Sequence, residues 1–150
     1  MHPIVTRTAL ALALGAGIAA TIAAGHPEIT KAGLEKALPP TFANLYVQQA
    51  GLLGIGGVTT ATVGAATACD KGGPKVADTG AGPNWICMMS WTDNRGKHQD
   101  GKFEVTVRTD ATYVAGGPSK IVGLATITDK HGHDVPNPVF DFDGVLTTRS

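Results

Sequence analysis

Lys102-Phe103-Glu104-Val105-Thr106-Val107-Arg108 alternates polar and apolar residues. Successive side chains of a strand point to opposite faces, so Phe103, Val105 and Val107 belong to a buried face and Lys102, Glu104, Thr106 and Arg108 to a wet one. The run Trp85–Thr92, across the polar loop Asp93–Gly101, is the expected antiparallel partner. Further out, "VTTATVGAATAC" (58–69), "TYVA" (112–115), "IVGLATIT" (121–128) and "PVFDFDGVL" (138–146) are short β-branched or aromatic runs. Gly-, Pro- and Asp-rich stretches separate them: "DKGGPKVADTGAGP" (70–83), "GGPSK" (116–120) and "DKHGHDVPN" (129–137). The texture after Gly57 predicts an antiparallel meander of about four to six strands.

A meander with one wet face needs a cover for the other. In "HPEITKAGLEKALPPTFANLYVQQAGLLG" (26–54), Ile29, Leu34, Ala37 and Leu38 precede a double proline. Phe42, Leu45, Tyr46, Gln49, Leu52 and Leu53 then recur at helical spacing and mark one face. Proline lacks the N–H and clashes with the turn before it, so Pro39-Pro40 predicts a short helix, a break and a longer helix ending at Gly54. The expected class is α+β, with the helical segment 26–57 and the β region 58–150 forming one domain.

Composition bounds the function. The chain has 150 residues, 43% hydrophobic and 16% charged, enough for one modest core. Twelve basic and twelve acidic residues cancel, with no cationic stripe interleaved with aromatics, which argues against a nucleic-acid partner. Between Thr8 and Pro27 there is no charged residue, and "TALALALGAGIAATIAAG" (8–25) follows Arg7. Residues 1–25 read as a signal peptide, with a small-residue site near Thr21-Ile22-Ala23-Ala24, or as a transmembrane anchor over residues 4–25. No Cys lies near Ala24, so a lipid-anchored cysteine is not expected there. Either way, the C-terminal domain would stand outside the membrane.

Cys69 and Cys87 are the two cysteines, with 87 − 69 − 1 = 17 residues between them, too far apart for a C-x-x-C redox pair. Two thiols are too few for structural zinc, and export makes a disulfide the expectation, with Cα atoms about 4.4–6.8 Å apart. "FDFDGV" (140–145) resembles as a string the first motif of haloacid dehalogenase-type phosphatases, Asp141 standing for the nucleophile and Asp143 for the acid/base. That chemistry needs a parallel sheet and downstream groups for phosphate and magnesium, whereas the sequence given ends seven residues after Asp143. The string reads instead as a strand and turn with both aspartates on one side. Asp129, His131, His133 and Asp134 form either a zinc- or copper-binding cluster or a polar hairpin loop. Trp85 and Trp91 flank Cys87 as either core packing or a ligand-stacking surface. No motif demands a cofactor.

"TFANLYVQQAGLLG", "ATACDKGG", "GAGPNWIC", "VRTDATYVAG" and "NPVFDFDGVL", in that order over Thr41 to Thr147, are similar to a group of small exported actinobacterial envelope proteins of unknown function. In that group the turn after the long strand reads Asp-Gly-Cys-Tyr or Asp-Gly-Cys-Phe, and the last motif reads Phe-Asp-Gly-Cys. Here those positions hold Asp110-Ala111-Thr112-Tyr113 and Phe142-Asp143-Gly144-Val145. The resemblance implies that Cys69–Cys87 is the retained bridge and that Thr112 and Val145 face each other where a second was lost. It supplies no activity. The expected function is a non-catalytic exported or membrane-tethered envelope protein that binds a ligand or another envelope protein. The alternatives are an accessory subunit of a membrane complex held by residues 4–25, a metal-binding protein, or a phosphatase-like enzyme.

Overall fold

The computed structural model describes residues 28–146; the leader or anchor expected over residues 1–25 lies outside them. A long helix α1 (Lys31–Leu52) is followed by a one-turn helix α2 (Thr60–Val63) and strands β1 (Ala66–Asp70), β2 (Gly82–Thr92), β3 (His98–Val107) and β4 (Thr112–Gly116). A short helix α3 (Ser119–Val122), strands β5 (Thr126–Thr128) and β6 (Asp134–Pro136), and strand β7 (Asp141–Val145) complete the chain. Five strands form one antiparallel sheet in the order β1-β2-β3-β4-β7, and β5-β6 is a separate hairpin inserted before the last strand. The class is α+β, as expected.

The alternation over Lys102–Val107 is present in β3. Phe103, Val105 and Val107 are buried, facing Cys87, Trp85 and Tyr113 or Ala115 on neighbouring strands, while Lys102, Glu104 and Thr106 are exposed. α1 covers this inner face with Leu34, Leu38, Phe42, Ala43 and Tyr46. Phe42 stands at the centre, with ring centroids 4.9 Å from Trp91, 5.5 Å from Phe103 and 6.3 Å from Phe142.

The expected break at Pro39-Pro40 is absent: α1 runs through both prolines. Each missing N–H and its clash cost on the order of 3 kcal/mol. Pro39 itself is buried, and the stripe Leu34, Leu38, Phe42, Tyr46 is continuous across it, so breaking the helix would lift one half off the sheet. Burial at about 1.5–3 kcal/mol per large side chain outweighs the defect. Two other segments differ from expectation. Thr59 and Thr62 form a reciprocal capping box, which turns the first half of "VTTATVGAATAC" into α2. In "IVGLATIT", α3 ends at Gly123, whose φ of 94° favours glycine, leaving only Thr126–Thr128 extended.

Three hairpins share one turn geometry. In Asp93–Lys97, Arg108–Thr112 and Asp129–His133 the fourth residue donates its N–H to the first residue's carbonyl, at 2.9–3.0 Å, and has positive φ. This is a type I turn followed by a left-handed bulge residue. Gly96 and Gly132 fill that position in two turns and Ala111, φ 64°, in the third.

Candidate binding site

Each feature singled out in the sequence has a definite place. Cys69 and Cys87 are direct partners across β1 and β2 and form a disulfide with Cα atoms 4.1 Å apart. That is just short of the expected range. Cys69 N–H donates to Glu35 Oε1 on α1 at 2.9 Å instead of to β2, so the two cysteines form a non-hydrogen-bonded pair, where facing Cα atoms come closest. The same carboxylate shields the outer edge of β1 from another strand.

Thr112 and Val145 are direct partners across β4 and β7. The flanking bonds Leu146 N to Ala111 O, 2.9 Å, and Gly117 N to Phe140 O, 2.8 Å, make this a non-hydrogen-bonded pair as well. The facing geometry implied by the resemblance is therefore present.

Asp141 and Asp143 project together from β7 onto the sheet's open face, beside Arg108 and Val114, while Phe142 points into the core. The sheet around them is antiparallel throughout, unlike the parallel sheet that a dehalogenase-type nucleophile requires. Gly144 has a packing role: a Cβ there would lie 2.3 Å from the hydroxyl oxygen of Tyr113, its facing residue. Tyr113 Oη in turn donates to Thr41 Oγ1 at 3.2 Å and ties β4 to α1.

The Asp129, His131, His133 and Asp134 cluster is the β5-β6 turn. Asp129 Oδ1 accepts from the backbone N–H groups of His131, 2.8 Å, and His133, 2.9 Å, while Asp134 Oδ1 accepts from Thr128 at 3.0 Å. Among the described residues no three His, Cys, Asp or Glu side chains are placed to share a metal. The turn's own amides engage Oδ1, and they hold the Asp129 pKa below its ordinary value, His133 N–H foremost.

Trp85 and Trp91 are both in the core, at 0% and 1% exposure, so neither offers a ring to stack on a ligand. Trp85 Nε1 donates to Gly80 O at 3.0 Å, and its ring lies 5.8 Å from the Lys71 ammonium. Lys71 is itself held by the carbonyls of Thr79, Gly80 and Ala81 at 2.8–3.1 Å, which orders the loop inside the disulfide.

A cavity of about 400 Å³ that sequence reading missed opens where the C-terminal half of α1, the β2-β3 turn and α3 meet. Its volume is at the low end of small-ligand sites. Tyr46 and Gln49 come from α1, Asp93, Arg95 and Gln99 from the hairpin, and Lys120 and Ile121 from α3. Leu53 and Ile127 add apolar wall. Gln49 is fixed by two bonds from Nε2, to Val122 O and Asn137 Oδ1, both 2.8 Å. Its Oε1 accepts from nothing among the described residues.

Tyr46 Oη accepts from Asn94 N–H at 3.2 Å. Trp91 Nε1 is buried without a hydrogen-bond partner among the described residues, yet lies near enough to the phenol to favour its charged form. Burial dominates and raises the Tyr46 pKa, with Asp93 adding to the rise, so the phenol keeps its proton. Asp93 is already engaged: Oδ1 accepts from Arg95 N and Lys97 N, both 2.9 Å, and Oδ2 from Gln99 Nε2 at 2.8 Å. These bonds, that from Gln99 foremost, hold its pKa below the ordinary value.

The advance signal was Gln49, a polar residue among Tyr46, Leu53 and the other members of its helix face; the rest of the lining comes from distant parts of the chain. Compared with known proteins, the chain matches no family model, no curated sequence and no solved structure.

Proposed function

We propose that this is a non-catalytic binding protein, exported to the cell envelope or beyond and stabilised there by its disulfide. The observation that carries the reading is the buried Cys69–Cys87 bridge between facing strands, a bond that persists in oxidising compartments. The charge-free stretch after Arg7 supports the same location, and so does the similarity to small exported actinobacterial envelope proteins. The cavity beside Tyr46 supports the binding role.

Among the described residues no helix is long and apolar enough to cross a membrane, so tethering beside a larger complex would fall to residues 4–25. Fractionation of expressing cells followed by N-terminal sequencing tests both readings. A mature chain starting near Ala24 or Gly25 outside the cytoplasm supports the free binding protein, while an intact N-terminus in the membrane fraction supports the tethered subunit. A cytoplasmic chain with two titratable thiols overturns export.

A further inference from the structure

We infer that the cavity between α1, the β2-β3 turn and α3 binds a small monoanion made of a carboxylate and a short apolar chain. The inference rests on the binding role proposed above and adds the ligand's chemistry. Arg95 and Lys120 bring two positive charges to the cavity, and Asp93 brings one negative charge that three donors already engage. The balance, 2 − 1, is one unneutralised positive charge.

Tyr46, which lines the cavity, supplies a protonated hydroxyl whose oxygen accepts from Asn94 N–H. A hydroxyl donor in a cavity that two cations also line matches the oxygens of a carboxylate. Part of the lining is apolar: Leu53 and Ile121 are exposed at 36% and 38%, and Ile127 lines the cavity with them. That apolar surface is open to a ligand's chain, within a lining that is mostly polar. A ligand with both parts would cover the wall with its chain and satisfy the hydroxyl with its head. Gln49 Oε1 favours a ligand that also carries an N–H or O–H near the carboxylate, as an N-acylated amino acid does.

The same chemistry is carried by a free alkanoate and by the C-terminal carboxylate of an apolar peptide. Octanoate and N-acetyl-leucylleucine therefore serve as separate probes, with octanol and octylamine as controls, titrated into the full oxidised protein. Binding is followed by amide NMR shifts and by Trp91 fluorescence, since the Tyr46 and Trp91 ring centroids are 6.4 Å apart. The expected result is saturable binding of one or both carboxylates, at least about tenfold tighter than octanol, with shifts at the Gln49 and Gln99 side-chain amides. Preference between the two carboxylates identifies the source.

Tyr46→Phe keeps the ring and removes the donor, and should weaken carboxylate binding about five- to tenfold. Lys120→Gln, a surface change that spares folding, should weaken it several-fold and flatten its dependence on salt. Equal binding of octanol or octylamine overturns the carboxylate assignment while leaving a binding role. Shifts confined to the open sheet face around Met88, or no saturable binding of either carboxylate at millimolar concentration, overturn the site itself.

Discussion

At the scale of single residues, what looks like chemistry in "DFDGV" is packing. Asp141 and Asp143 take the wet positions of β7, Phe142 the buried one, and Gly144 makes room for Tyr113. Adding one methyl there must push back a fully buried phenol that is also bonded to Thr41. Overpacking of this kind costs about 1–3 kcal/mol, so Gly144→Ala should lower the urea midpoint accordingly. Asp143→Asn, on the exposed side of the same motif, should leave it within about 0.5 kcal/mol of the parent. If both substitutions proved neutral, the tight Tyr113 contact would not be the reason for a glycine. Alternation at Phe103, Val105 and Val107 was legible because burial in a sheet follows local period two. Nothing local marks Gly144, because its neighbour Tyr113 is 31 residues away (144 − 113).

The hairpin turns and the helix show the same limit at the scale of elements. Asp-x-x-Gly at 93–96 and 129–132 is a turn signature whose carboxylate bonds its own loop, and Asp110 does likewise toward Thr112 N, 3.0 Å, and Thr112 Oγ1, 2.7 Å. All three aspartates have pKa values held below the ordinary one: Asp93 chiefly by Gln99, Asp110 by the Thr112 hydroxyl and Asp129 by His133 N–H. The folded state therefore binds fewer protons than the unfolded chain in mild acid. The turns' contribution is complete above the unfolded carboxylate pKa of about 4 and is lost as pH falls through the folded values. Tyr46 and Tyr113, raised chiefly by burial, act at the other end, their contribution being lost as pH climbs from about 10 through the raised folded values. Thermal midpoints should thus be flat across neutral pH and fall below about pH 4 and above about pH 10. A midpoint rising on acidification below pH 4 would contradict the turn bonds.

α1 is where tertiary packing overrules a local rule. Pro40 is exposed, so its ring contributes little burial while its missing N–H leaves the helix one bond short. Pro40→Ala should raise stability by about 1–2 kcal/mol, the relieved helix defect minus the added freedom of the unfolded chain. Pro39→Ala should gain less, because Pro39 also fills buried space. A loss on Pro40→Ala would mean that the proline pair positions the two halves of the helix on the sheet. A sequence window shows the defect but not the continuous stripe from Leu34 to Ala50 that compensates it. The cavity was hidden for a related reason, since its polar groups come from a helix, a turn and a one-turn helix separated by tens of residues.

For the whole molecule, the sheet is stapled at one edge only. Cys69–Cys87 ties edge strand β1 to β2, and Glu35 closes β1's outer side, whereas edge strand β7 is held by its bonds to β4 and by Phe142 in the core. Unfolding should therefore begin at β7, and its neighbours on β4 should exchange amide hydrogens faster than β2 and β3 in the centre. Thr112 and Val145 are the natural place to close that edge. They face each other as a non-hydrogen-bonded pair, as Cys69 and Cys87 do, and both are on the open face where a bridge displaces no core. Thr112→Cys with Val145→Cys should oxidise spontaneously, because facing Cα atoms in such a pair are about 4.5 Å apart and lie within bridging reach. Closing that loop should contribute on the order of 3–4 kcal/mol, against about 0.2–1 kcal/mol from the present side-chain contact. The gain should appear as a higher melting temperature that reduction abolishes, together with slower exchange at β4. Oxidation without slower exchange would show that β7 is not the first strand to leave. A pair that stays reduced in the folded protein would refute the β4-β7 register and, with it, the likeness that aligned Thr112 and Val145 with a lost disulfide.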